Sequence, residues 1–488
     1  MGIDVVKCKK SCIGLVILII LIAILLSLPY FFGKATETAL RRVIKHIPAE
    51  PGVTINIKSY KRGWLDADAV IQVAIDTQVS MQSGWQYQLQ HQGKIPPKLY
   101  FTVHEKIWHG PIIFAKDPKG KDKFFIARSY ATGKLVIPQV EREQLKSITI
   151  DALDNANSIL MKLSGDIEVN STISQLHISS TDKTEQFSLQ GFNVNYDLNA
   201  NYHKQKGQVT LDNVHYQNQN NAFTIQHINH QFKLDRVLSH LWTGDSNLKI
   251  GLVNVTSQGE SQINQQDIQL KSYATVKNKL LNLTIELNAG KLQYDHKQYG
   301  PAKINLKIMN IGADALNNLR DLDEKLQGNN LTRQQYFQAI THLTPGLFGH
   351  GAQVHLYPCQ ITTPKGDIKL NLNIAFPAIK GDKSMTTVKS LFQNVESHNE
   401  ITVPKSIINY ALTRYFQDKF AYIQQITGSK DKPALTQEQV NKLVDSKVQA
   451  LLTNWEQEKY LAPQGDNYQV KILYQNKQLL VNNKVISQ

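Results

Sequence analysis

From Val53 to about Ile311, apolar residues recur at every second position. Val53, Ile55 and Ile57 alternate with polar neighbours. So do Ile71, Val73 and Ile75; Val194, Tyr196 and Leu198; Leu281, Leu283, Ile285 and Leu287; and Ile304, Leu306 and Ile308. A period of two, with one apolar and one polar face, predicts antiparallel strands. Turn signals at Lys206-Gly207, Gln219-Asn220-Asn221, Thr243-Gly244-Asp245 and Ala289-Gly290-Lys291 are expected to separate them. No sequence motif repeats; only the strand rhythm does. A meander of this length must close, stack or curl to manage its edges. A covering layer of helices or a second sheet over the apolar face is the expected outcome. A sheet that curls without closing would instead leave a groove floored by Ile, Leu and Val, suited to acyl chains.

Around this series the period changes to that of a helix. Ala39, Leu40, Val43 and Ile47 recur at helical spacing from Gly33 onward, and Pro48 and Pro51-Gly52 end the run. Leu316, Leu319, Leu322 and Leu326 mark a helix over 314–327. Thr332 and Gln335 fit a capping box for one over 332–343. Pro404 opens a third, over 404–425, and Thr436 with Gln439 caps a fourth, over 436–459. Their apolar stripes are read as faces that cover a sheet. Tyr468, Val470, Ile472 and Tyr474, a turn at Gln475-Asn476-Lys477, and Leu479 and Val481 predict a closing hairpin over 467–488. The fold class expected is α+β and β-dominated: an N-terminal transmembrane helix, a long antiparallel, curled sheet, covering helices and a C-terminal hairpin.

The N-terminus changes this picture from a globular chain to an anchored one. Ile13 to Phe32 is a run of twenty residues without a charge, long enough to span a hydrocarbon core of about 30 Å. Lys7, Lys9 and Lys10 precede it and predict a cytoplasmic N-terminus over 1–12. The run exceeds a signal-peptide core, and Gly33-Lys34-Ala35 is a weak cleavage site, so 13–32 reads as an uncleaved anchor. Residues 33–50 then form a juxtamembrane helix, 51–311 a β-rich exported region and 312–488 a mixed region of helix and strand. The net charge of +14 is spread along the chain, which suits anionic lipid surfaces and gives no dense basic run for nucleic acid. Cys8 and Cys12 lie at the edge of the anchor, and Cys359 has no cysteine partner in the exported part. The domain is therefore expected to be held by its core rather than by disulfides.

Candidate chemistry is sparse. The chain contains no G-x-S-x-G elbow, H-E-x-x-H helix, paired C-x-x-C or phosphate-binding glycine loop. His104 and His109 are five apart, which on a strand places them on opposite faces and argues against a shared metal. Asp66 and Asp68 share a strand face, but with Lys61 and Arg62 nearby they read as a salt-paired strand start. No catalytic, cofactor or metal residue is expected, and the chain is read as not an enzyme.

Two short segments stand out. Tyr60-x-Arg62-Gly63-x-Leu65 begins a strand, and Trp108-His109-Gly110-Pro111 follows another about fifty residues on. Both stand behind an apolar run that ends in Gly33-x-x-x-Glu37. In order and spacing, over nearly the whole chain, this resembles the YdgA-like family of Gram-negative bacteria, domain of unknown function 945. The family pattern has Ser near the place of Ala67 and Phe near the place of Ile112. The resemblance implies an inner-membrane protein with a large periplasmic domain and no established activity. A looser architectural likeness is to the AsmA-like proteins, whose β-groove is thought to carry phospholipid. Tyr60, Arg62, Gly63, Trp108, His109, Gly110 and Pro111 are read as fold-defining turns: Gly63 for a positive φ, Arg62 to tie a carbonyl or carboxylate, and Pro111 to end a strand. The expected role is envelope maintenance through phospholipid or another anionic envelope lipid, or lipidated cargo, in an apolar groove. The alternative is a scaffold or assembly factor that binds envelope proteins through strand edges; a third reading is a hydrolase of cell-wall or lipid material with no recognisable motif.

Overall fold

The computed structural model describes residues 27–42, 44, 53–76, 98–137, 148–327, 332–379, 388–427 and 436–487. Residues 13–26 of the expected anchor and the whole expected cytoplasmic segment, 1–12, lie outside the described residues, as do 43 and 45–50 of the expected juxtamembrane helix. Among the described residues no helix is long and apolar enough to cross a membrane. The protein is β-dominated, with large open antiparallel sheet and helices. It divides into two units, one of residues 1–233 with 256–259, the other of 234–255 with 260–488.

The first unit begins with helix α1 (residues 27–42) and continues as an antiparallel meander. Its strands are β1 (Val53–Arg62), β2 (Asp66–Asp76), β3 (Lys98–His109), β4 (Ile112–Lys116), β5 (Asp122–Val136), β6 (Ile148–Lys162), β7 (Ile167–Ser180), β8 (Gln186–Leu198), β9 (Lys204–Gln217) and β10 (Asn221–Arg236). Each pairs with its neighbour in sequence, except that β3 passes over β4 to pair with β5. In β1 the expected alternation is plain: Val53, Ile55 and Ile57 are half-buried and the polar residues between them are exposed. Ala67, Ala69, Ile107 and Ala131 form one small core with Leu40, Tyr60 and Ile159 against it. Ile113, Ala115, Ala127 and Tyr130 form another with Trp108, Phe125 and Leu160. Neighbouring Cβ atoms of opposite residues share a face, so these two clusters lie on opposite faces of β3 and β5.

The expected cover stops there. Across β7, β8 and β9, the opposed sets Ile178, Phe187 and Tyr216, and Leu176, Leu189 and Val214, are only half-buried. Two turn assignments also fail. Lys206-Gly207 lies inside β9, where Gly207 faces Tyr196 and a side chain there would strike the Phe232 ring. Thr243-Gly244-Asp245 lies inside β11 (Trp242–Ser257). The chain turns instead at Asn199–His203, with Tyr202 in left-handed backbone. A glycine that makes room for a ring across the sheet reads, in one dimension, like a turn.

The second unit repeats the meander with helices inserted. Strands β12 (Glu260–Lys277), β13 (Leu280–Ala289), β16 (Ala302–Gly312), β17 (Gln353–Thr363), β18 (Gly366–Ala375), β19 (Glu396–Pro404) and β21 (Asn467–Gln475) pair in that order, while the short hairpin β14 (Leu292–Tyr294) and β15 (Lys297–Tyr299) pairs with β12, and β20 (Ala462–Gln464) with β21. Helices α2 (Ala313–Gln327) and α3 (Arg333–Phe348) follow β16, and their residues Ala313, Ala315 and Leu347 pack with Leu281 and Ile311. Helix α4 (Val388–Gln393) had no signal in the apolar pattern. Helices α5 (Lys405–Thr427) and α6 (Gln437–Gln457) follow β19, and Val444, Val448 and Leu452 of α6 pack with Leu461 and Tyr468. Pro404 is the last residue of β19 rather than the first of α5. Thr332 and Thr436 each close a capping box, with Gln335 and Gln439 respectively.

Candidate functional site

The segments singled out in the sequence meet in the first unit, where α1 lies on one face of β1, β2, β3 and β5. The helix turns Pro29, Gly33 and Thr36 inward, and Leu40 one turn further on reaches the Ala67 cluster. Spacings of three and four put these residues on a single stripe. Gly33 rests against His109: a Cβ at Gly33 would lie 2.9 Å from the His109 ring and 3.3 Å from the Arg62 side chain. Glu37, one turn on, accepts from Arg62 at 3.3 Å and from Arg41 at 2.9 Å. The Arg62 guanidinium also lies over the Tyr30 ring, 5.1 Å from its centre, and Tyr30 is 5.8 Å from Trp64. Of the two expected partners, a carbonyl or a carboxylate, Arg62 therefore takes the carboxylate, Glu37 on α1.

The turn chemistry differs from expectation at Gly63. Gly63 is not in left-handed backbone. Its amide donates to the Asp66 carbonyl at 2.7 Å, and a side chain there would crowd that carbonyl and the Asp66 carboxylate at 3.1 Å. Close approach, not positive φ, is what glycine supplies. β3 ends at His109, ahead of Gly110-Pro111 as expected, and a new strand takes up the same partner beyond it. The Gly110 amide donates to the Arg128 carbonyl, the Pro111 carbonyl accepts from Ala127, and β4 resumes on the same partner strand at Ile112. The Gly110-Pro111 bond is cis, and a Cβ on Gly110 would fall 1.6 Å from the Ala127 carbonyl oxygen. Asp66 and Asp68 are salt-paired, but with Lys106 at 2.8 and 3.4 Å rather than with Lys61 or Arg62. The register that places Asp68 opposite Lys106 decides this, and the bond from Asp66 holds the Lys106 amine above its ordinary pKa.

Beneath α1 runs a buried polar row that sequence inspection missed. Tyr60, Ala69, Glu105, Gly133 and Asn157 stand directly opposite one another across five strands. Glu105 is only 6% exposed and lies over Gly133, where a Cβ would come within 2.5 Å of its carboxyl carbon. Its Oε1 accepts from Asn157 at 2.5 Å. Its Oε2, the Tyr60 hydroxyl and the Asn157 carbonyl oxygen are buried and have no hydrogen-bond partner among the described residues. Burial lifts the Glu105 carboxyl to about 7, against the smaller opposing pull of Asn157. Burial, then the charge of Glu37, pushes the Tyr60 phenol to about 12. His109 is 2% exposed, and among the described residues neither ring nitrogen has a hydrogen-bond partner. Burial lowers its pKa and outweighs the nearby Asp66 charge and carbonyl, which pull the other way. The signal in the sequence was parity: in Val103-His104-Glu105-Lys106-Ile107, Glu105 is a charged residue on the apolar beat.

In this row the Glu105 carboxyl, lifted to about 7, is joined to Asn157 and lies in line with the Tyr60 phenol. Among the described residues no three His, Cys, Asp or Glu side chains converge as a metal site would need. In the second unit a cleft of about 650 Å³ is lined by Lys365, Lys369, Lys405, Asp367 and Asp466. Two of its lysines lie over aromatic rings, Lys365 over Tyr410 and Lys405 over Tyr468.

No curated protein and no solved structure matches this chain. The family model described as bacterial protein of unknown function, DUF945, matches residues 8–488, in agreement with the order of the motifs that converge on α1, and the chain belongs to that family.

Proposed function

We propose that this is a non-enzymatic protein of the bacterial cell envelope, held in the inner membrane by residues 13–32 with its β-rich units on the periplasmic side, and that its half-covered apolar strands take up lipid or lipidated cargo. The observation that carries this reading is the seat built for α1. Gly33, Glu37 and Leu40 bind the segment that leaves the apolar run to Arg62, His109 and the Ala67 cluster. Such a seat transmits the position of a membrane anchor to the sheet. The lipid part rests on the apolar sets of β7, β8 and β9, which stand opposite one another and are only partly buried, since an apolar face that its own chain does not fully cover calls for an occupant.

The test uses the full-length chain. It should resist alkaline extraction from membranes, and native mass spectrometry after gentle detergent release should find phospholipid in fixed ratio to protein. A chain washed from the membrane by alkali would remove the anchor. A clean protein mass without lipid would remove the cargo role and favour a scaffold that binds envelope proteins.

A further inference from the structure

One surface of the first unit is apolar where it faces solvent. Strands β4 and β5 form a hairpin in which Ile112 stands opposite Ile126 and Phe114 opposite Phe124. These four side chains are 51%, 65%, 75% and 56% exposed, in that order, and the two phenylalanine rings pair at 5.2 Å. The other side of the hairpin is satisfied: Ile113, Ala115 and Ala127 are buried with Tyr130. The hairpin therefore has a complete inward face and an apolar outward one.

Register tells where the outward face points. Ile113 and Ala115 pack with Trp108 and Leu160, on the face opposite His109 and Ile107. Ile112 and Phe114 thus share the face on which α1 lies. The start of α1 is itself unusually apolar. Phe31 is 61% exposed, and Trp64 and Leu65, in the β1–β2 turn beside Tyr30, are 54% and 61% exposed. The charge-free run ends at Phe32. At its far end the hairpin carries Lys116, Lys119, Lys121 and Lys123 against Asp117 and Asp122. The Asp117 carboxylate accepts the amides of Lys119 and Lys121 and so pins the tip, while both lysine side chains remain exposed.

We infer that the β4–β5 hairpin is a second membrane contact, docking Ile112, Phe114, Phe124 and Ile126 on a phospholipid bilayer surface with the tip lysines set against anionic headgroups. Aromatic and aliphatic residues rimmed by lysine are the composition that lies in a membrane interface. The inference rests on the anchoring proposed above, and adds that the first unit lies against the bilayer rather than hanging from a tether.

The experiment uses the full chain with Cys8, Cys12 and Cys359 replaced by Ser. A single environment-sensitive fluorophore is attached at Phe114→Cys, Leu21→Cys or, on the β7–β8 turn, Lys183→Cys. Each protein is reconstituted in vesicles of phosphatidylethanolamine and phosphatidylglycerol carrying nitroxide on the acyl chains. Quenching is expected at positions 21 and 114, several-fold above that at 183. Quenching at 21 without quenching at 114 overturns the hairpin contact and leaves the anchor standing. Quenching at neither overturns both. A label at 114 that is blue-shifted but unquenched places protein, a second copy or another segment, on the hairpin and also overturns the inference.

Discussion

The Arg62 guanidinium meets the Glu37 carboxylate at 3.3 Å across twenty-five residues of sequence, and through that bond the end of β1 holds α1, the helix that carries the last residues of the apolar run. Both side chains are about a quarter exposed, so the pair alone contributes on the order of 0.5–1 kcal/mol. The contact of Gly33 with His109 is less forgiving. Gly33→Val is expected to cost about 1–3 kcal/mol through overpacking, and Arg62→Ala less than that. Hydrogen exchange of the amides in residues 34–42 checks this: exchange should quicken strongly in Gly33→Val and modestly in Arg62→Ala.

Glu105 makes the first unit sensitive to pH. Its carboxyl in the folded chain sits at about 7, above the ordinary value of about 4.3 in an unfolded one. The folded state therefore binds the proton more tightly. Stability is full below about pH 4 and falls as pH rises through about 7, by on the order of 3 kcal/mol. Glu105→Gln keeps the shape without the charge. Urea unfolding at pH 5 and pH 8 should show wild type losing stability between them and Glu105→Gln losing much less, with the variant the more stable at pH 8.

At Gly110 the limit is steric. A methyl group placed 1.6 Å from the Ala127 carbonyl cannot be absorbed without parting β4 from β5. Gly110→Ala is expected to destabilise by more than about 3 kcal/mol. Gly120, at the hairpin tip, has nothing within 4 Å of a Cβ but a φ of +82°, so Gly120→Ala should cost about 1 kcal/mol from backbone conformation alone. Chemical denaturation of the two variants side by side separates the causes.

In the second unit, Leu452 is 3% exposed in the cluster formed by Val444, Val448, Leu461 and Tyr468, whereas Leu443 on the same helix is 38% exposed. Leu452→Ala should lower stability by about 2–5 kcal/mol, and Leu443→Ala by less than about 1 kcal/mol. Equal losses in the unfolding transition would mean that α6 buries a different face.

Much of this architecture is legible along the chain. The two-residue period of Val53, Ile55 and Ile57 and of Leu281, Leu283, Ile285 and Leu287 reads directly as strand, because alternation is a local property of the backbone. The capping boxes at Thr332 and Thr436 are local too, each closed within four residues. Lys206-Gly207 and Gly63 were misread for a different reason. Glycine has one letter and two uses: at Gly207 the deciding contact is the Phe232 ring from another strand, and at Gly63 it is the Asp66 carbonyl folded back within the turn.

The candidate site divides along the same line. Sequence by itself determined that the chain is β-dominated, that helices follow the long strand series, and that the segments at Tyr60, Trp108 and Gly33 carry something in common with a family. Tertiary structure decided that these segments touch, that Asp66 and Asp68 answer Lys106, and that Glu105 is buried in line with Tyr60 and Asn157. The physical reason is register. Alternation states which residues share a face of their own strand, but a neighbouring strand can slide by two residues without disturbing that pattern. Which side chains stand opposite one another is settled only by packing across the sheet and by the helix laid upon it.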